Sequence, residues 1–218
     1  SSLSVEEMSK ALKNSSRFAG LHFFNPVNKM PLVEIITHEK ADPKVIQTLV
    51  KWALDVKKTP IVVKDGPGFL VNRILAPYLN EAAFLLEEGV SVEALDEAAL
   101  NFGMPMGPCR LMDEIGIDVC VKVGKIMYDG LGERAVPSTL STKLYEAKLL
   151  GKKNNKGFFL YDEKGKSTGK NPEISKLLPA KKNHMDEMTI QMRLFLPMVN
   201  EAAYILADKI CDKAATVD

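Results

Sequence analysis

Through the first 64 residues, apolar runs too short for helices alternate with one amphipathic stretch. Phe18-Ala19-Gly20-Leu21-His22-Phe23-Phe24 is interrupted by a single polar side chain and ends at Asn25-Pro26, where proline pushes its predecessor out of helical geometry. This predicts a buried strand followed by a turn. Leu32-Val33-Glu34-Ile35-Ile36-Thr37 and Thr59-Pro60-Ile61-Val62-Val63-Lys64 are β-branched runs, the second stopped by Asp65-Gly66-Pro67-Gly68, and both predict strands. Between them Asp42 offers a cap and Pro43 suits the first helical position, while Val45, Ile46, Leu49, Val50, Ala53 and Leu54 recur at helical spacing. That helix should lie on a sheet, in an α/β layer.

After Gly68 the strand signals vanish, and helical periods cover residues 69–88, 92–102, 111–127 and 140–150. Pro77 removes a backbone donor inside the first of these and should kink or break it. Residues 152–157 read as a basic turn into a short aromatic strand at 158–161, and polar residues 164–171 as a loop. The expected class is α/β followed by all-α.

An internal repeat refines the division. Pro77-Tyr78-Leu79-Asn80-Glu81-Ala82-Ala83-Phe84-Leu85-Leu86 returns 120 residues later as Pro197-Met198-Val199-Asn200-Glu201-Ala202-Ala203-Tyr204-Ile205-Leu206, and Arg73 and Arg193 keep the same offset. Two copies of one helix are expected, packing within one chain or between two. The predicted domains are residues 1–65, 66–175 and 176–218, the last being the start of the second copy.

Composition narrows the function classes. A chain of 218 residues, 46% hydrophobic and 26% charged, can bury roughly 70% of its unfolded surface, which excludes a disordered tail. A formal net charge of +1 supplies no long-range field for nucleic acid or anionic lipid. Cys109, Cys120 and Cys211 lie far apart, fitting neither a disulfide framework nor a structural zinc site, so a reducing compartment is expected and no metal. No run approaches the ~18 apolar residues of a membrane span, and no secretory signal opens the chain. The chain begins Ser1-Ser2-Leu3 and stops just after an amphipathic stretch, which points to a piece excised from a longer protein.

His22 is the candidate general base, since an imidazole with an ordinary pKa of ~6.5 can take a proton from an alcohol at physiological pH. It falls near the end of a strand, where open sheets place ligands. Glu34 on the next predicted strand could hold the other ring nitrogen, as the carboxylate of a triad does. Spacing alone leaves open a satisfied, partly buried histidine beside a surface glutamate. Asn72 lies one turn into the helix after Gly66-Pro67-Gly68, where it could hold a substrate carbonyl, and the second helix copy has Met192 there instead. The Gly66-Pro67-Gly68 turn has Val71 where a dinucleotide fingerprint needs glycine, and residues 165–170 fall short of a P-loop.

His22-Phe23-Phe24-Asn25-Pro26, then Met30-Pro31-Leu32-Val33-Glu34-Ile35-Ile36, then Asp65-Gly66-Pro67-Gly68-Phe69-Leu70-Val71-Asn72-Arg73, strongly resemble the 3-hydroxyacyl-CoA dehydrogenase family. The likeness continues through Pro105-Met106-Gly107-Pro108 and Gly157-Phe158-Phe159-Leu160-Tyr161, and the repeated helix matches the family's multifunctional members with a duplicated helical domain. The resemblance implies the last strands of a Rossmann-like domain, a helical C-terminal domain and the start of its second copy. It implies NAD as cofactor, an acyl-CoA substrate, His22 as the base for the 3-hydroxyl, and Glu34 as its partner. By motif position it also implies a substrate-positioning role for Asn72, a nicotinamide contact for Asn25, and contacts to both substrate and nicotinamide for Ser1.

The family's glycine-rich nucleotide-binding half is not in this sequence, so the isolated chain is expected to be inactive. Possible partners are a thiolase β-subunit and a second copy through the helical domain, in the bacterial cytoplasm or a mitochondrial matrix, the former preferred. The alternative from another class is an assembly module in which the His-Glu pair is a remnant.

Overall fold

The structure, a computed structural model, describes residues 2–218. In chain order its elements are α1 (Val5–Lys10), β1 (Gly20–Phe23), β2 (Leu32–Thr37), α2 (Pro43–Asp55), β3 (Thr59–Lys64), α3 (Val71–Glu87) and α4 (Val92–Phe102). There follow α5 (Pro108–Ile115), α6 (Ile117–Leu131), α7 (Thr139–Glu146), β4 (Phe159–Tyr161), β5 (Ser167–Lys170), α8 (Glu187–Ala207) and α9 (Ala214–Val217). The chain forms two compact units: residues up to Arg73 together with Glu201–Asp218, and Ile74–Asn200.

In the first unit the strands lie in the order β1-β2-β3, with β1 antiparallel and β3 parallel to β2. The three predicted strands and the helix between them are all present. Asp42 caps α2, its carboxylate accepting the Lys44 N–H at 2.8 Å, and α2 packs on β2 and β3 with Ala53 buried. Val33, Ile35, Ile36 and Val63 are buried, each such side chain contributing roughly 1.5–3 kcal/mol.

The last residues of the chain, Glu201–Asp218, belong to this unit. The Ile210 carbonyl accepts the Lys64 N–H at 2.8 Å, and buried Arg73 holds Glu201 through Nε at 2.6 Å and pairs with Asp208. Long-range bonds of this kind carry no local sequence signal.

In the second unit, Tyr78, Leu86, Leu95, Met112, Leu140 and Phe158 anchor one continuous core. Three expectations are corrected here. The stretch predicted as one helix over 111–127 is two, α5 and α6, because Gly116 at φ +97° stops α5. The helix predicted to 150 ends at Glu146: Lys148 takes φ +58° and Leu149 N–H turns back to the Leu144 carbonyl. The predicted loop at 164–171 contains β5, paired antiparallel with β4 and mostly solvent-facing, so its residues are polar although its backbone is a strand. Pro77 does not break α3, since Tyr78, Ala82, Ala83, Leu85 and Leu86 bury that helix and offset the lost bond.

The 120-residue repeat extends to side-chain bonding. In the second unit Arg193 binds Glu81 through Nε at 2.6 Å and Glu88 through Nη2 at 2.8 Å. In the first, Arg73 binds Glu201 and Asp208. Residues 73, 81 and 88 correspond to 193, 201 and 208, so each arginine takes the carboxylates of the other copy.

Asp96 accepts the Cys109 N–H at 2.8 Å at the start of α5, and a Cβ on Gly107 would stand 2.2 Å from its Cγ. Burial pushes its pKa up to about 6, against the pull of the Cys109 N–H. A carboxyl whose folded pKa is raised binds its proton more tightly when folded. Its favourable contribution is present below the ordinary carboxylate pKa and is lost as pH rises towards about 6. Asp96→Asn should therefore gain roughly 1–2 kcal/mol over the natural residue at pH 7 and little at pH 4, read from urea midpoints at the two pH values. An equal change at both would contradict this.

Candidate active site

His22 and Glu34 are directly opposed in the β1–β2 pair, which turns a separation of twelve residues into cross-strand contact. His22 Nδ1 lies 2.5 Å from Glu34 Oε2. Glu34 is no surface residue but is fully buried, where an ionised carboxylate is costly unless its oxygens are satisfied. They are. Its Oε1 accepts the N–H groups of Leu70 at 3.0 Å and Val71 at 3.1 Å, at the start of α3, where backbone donors have no partner within the helix.

The turn before α3 makes those donors available. Gly68 and Phe69 take φ +74° and +55°, Phe69 N–H closes on the Gly66 carbonyl, and Leu70 and Val71 then face β2. Phe69 and Phe24 flank the imidazole edge-on, with ring centroids 5.5 and 4.7 Å away, and leave its side chain 11% exposed. With Nδ1–H donated to Glu34, the neutral ring carries its basic lone pair on Nε2. The arrangement can take a proton at Nε2 and stabilise the resulting imidazolium through Glu34.

Asn72 follows on the same turn of α3, half-buried, with Nδ2 donating to Ser2 Oγ at 3.2 Å. Asn25 is exposed in the turn after β1, and Ser1 lies outside the described residues. Sequence reasoning missed the Leu70 and Val71 amides, the aromatic walls and buried Ser2. The signal for the amides was the Gly66-Pro67-Gly68 turn. Among the described residues no group of three or more His, Cys, Asp or Glu could hold a metal ion, and no helix is long and apolar enough to cross a membrane.

Residues 1–66 match the family profile "3-hydroxyacyl-CoA dehydrogenase, NAD binding domain", and residues 68–161 match "3-hydroxyacyl-CoA dehydrogenase, C-terminal domain". The chain belongs to the 3-hydroxyacyl-CoA dehydrogenase family. The family's fold accounts for both parts, a Rossmann-like NAD-binding segment and a helical C-terminal domain.

Among relatives of the family, "Fatty acid oxidation complex subunit alpha" of Shewanella halifaxensis is 46% identical over 211 residues, and that of Idiomarina loihiensis 46% over 213. Each match covers 96% of this chain and 30% of the relative, so the chain spans about 30% of the length of these proteins. The crystal structure of 3-hydroxybutyryl-CoA dehydrogenase from Escherichia coli matches 72% of this chain and 34% of its own, with TM-score 0.68 and 38% identity. The dehydrogenase part of multifunctional enzyme 1 from Caenorhabditis elegans matches 99% of this chain and 50% of its own, with TM-score 0.67 and 28% identity.

Proposed function

We propose that the protein to which this chain belongs is an NAD-dependent L-3-hydroxyacyl-CoA dehydrogenase of fatty-acid β-oxidation. The observation that carries this reading is the buried Glu34 carboxylate, joined on one side to His22 and on the other to two backbone amides. A remnant pair in an assembly module would have no use for a buried carboxylate with one oxygen held to an imidazole and the other to a helix start.

NAD supplies the hydride acceptor when bound. The residues present fit its nicotinamide end, where exposed Asn25 follows the strand that carries His22. They do not fit its pyrophosphate: the amides at the start of α3 are already taken by Glu34, and Val71 stands where the fingerprint needs glycine. His22 Nε2 takes the proton of the substrate 3-hydroxyl, Glu34 holds the tautomer and offsets the charge, and Asn72 positions the acyl-CoA carbonyl. Phe24 and Phe69 keep water from the sides of the imidazole. Ser1 would reach both substrate and nicotinamide.

On this reading residues 1–65 are the catalytic edge of the nucleotide-binding domain, 66–175 the substrate domain and 176–218 the start of its second copy. The whole protein acts in the bacterial cytoplasm, beside a thiolase β-subunit or as a dimer through its helical domains. The full-length protein should oxidise NADH with acetoacetyl-CoA, whereas the isolated chain should show no turnover. Absence of activity in the full-length protein sinks the dehydrogenase reading, and turnover by the isolated chain sinks the account of cofactor binding.

A further inference from the structure

Asp65 stands in the turn between β3 and α3, 59 residues from the helix it caps. Its Oδ2 accepts Ser4 Oγ–H at 2.7 Å and Glu6 N–H at 2.8 Å, while Ser4 Oγ in turn accepts Glu7 N–H at 3.1 Å. A helix of six residues such as α1 is too short to hold itself, so contacts from elsewhere in the fold decide where it sits. Ser2, two residues before that cap, is buried, takes φ +62°, and accepts the Asn72 amide. The main chain of Asp65 is fixed as well, its N–H donating to the carbonyl of Thr37 at 2.9 Å, at the end of the strand that carries Glu34.

We propose that Asp65 is a positioning residue for Asn72, acting through Ser4 and Ser2. The inference rests on the substrate-positioning role given to Asn72 above. One turn thus serves both halves of the site: its amides at residues 70 and 71 fix Glu34, and its carboxylate fixes the segment whose serine orients Asn72. The Oδ1 atom of Asp65 is buried without a hydrogen-bond partner among the described residues. All of the hydrogen bonding of this carboxylate is therefore directed at the cap of α1. Alanine here would leave the Ser4 hydroxyl and the Glu6 amide without their acceptor, whereas asparagine keeps one oxygen for both.

The test uses the full-length protein with acetoacetyl-CoA and NADH, together with amide hydrogen exchange. Asp65→Ala should lower kcat/KM about tenfold, Ser2→Ala should do the same, and the double variant should lose little more, because the two act in one chain of contacts. Asp65→Asn should stay within about threefold of the natural protein. Exchange at Glu6 and Glu7 should quicken in Asp65→Ala and not in Ser2→Ala.

Unchanged exchange in Asp65→Ala overturns the clamp. Quickened exchange with unchanged kcat/KM makes Asp65 merely structural and overturns the proposal. Should Asp65→Ala not fold, unchanged kcat/KM in Ser2→Ala overturns it alone. A full-length protein without dehydrogenase activity refutes the reading of Asn72 instead, and exchange still reports on the clamp.

Discussion

Exchanging His22 for glutamine in the full-length protein is expected to lower kcat for acetoacetyl-CoA reduction by about a hundredfold or more. Glutamine is similar in size and can still hydrogen-bond to Glu34 Oε2, so the buried carboxylate need not lose its partner. What it lacks is a nitrogen able to exchange a proton with the substrate oxygen near neutral pH. The loss should fall on kcat more than on KM, since proton transfer acts in the transition state. Unchanged kcat with an intact circular dichroism spectrum would mean that His22 is structural, and the assembly-module reading would then lead.

The largest expected effect on stability lies away from the site, at Asp113 on α5. Its buried carboxylate accepts the N–H groups of Phe158 and Phe159, both at 2.9 Å, and the hydroxyl of Tyr161 at 2.8 Å. Burial raises its pKa, and these three donors pull it back. Gly157 is needed beside it, because a Cβ there would stand 1.9 Å from Asp113 Oδ1. Asp113→Ala strands three donors at once, and at ~1–3 kcal/mol for each buried unsatisfied group, softened by relaxation, should cost about 3–5 kcal/mol. Urea unfolding at pH 7 measures it. A cost below about 1 kcal/mol would show that water or a shifted backbone replaces the carboxylate.

Much of this was legible in the residues. The strands carrying His22 and Glu34, the cap of α2 and the extent of α4 follow from apolar period and capping residues, which act locally. The pairing of His22 with Glu34 was an open choice, because a cross-strand register depends on a connection that carries no period of its own. Leu70 and Val71 were invisible as site groups: every residue but proline has an N–H, and only the fold decides which are left over. The Gly66-Pro67-Gly68 turn marks where such donors begin, but not which side chain takes them. β5 was hidden by its polar, solvent-facing side chains, and the return of residues 201–218 to the first unit by bonds spanning more than a hundred positions.

The crossed ion pairs of the repeated helix make each copy depend on the other for its charge balance. Each arginine is paired with carboxylates of the other copy: Arg73 with Glu201 and Asp208, and Arg193 with Glu81 and Glu88. A charge reversal in one copy is therefore felt in the other and is offset by a reciprocal change 105 to 135 residues away. The two helices differ at other positions, as Asn72 and Met192 show, but at these six a substitution on one helix changes the electrostatics of both.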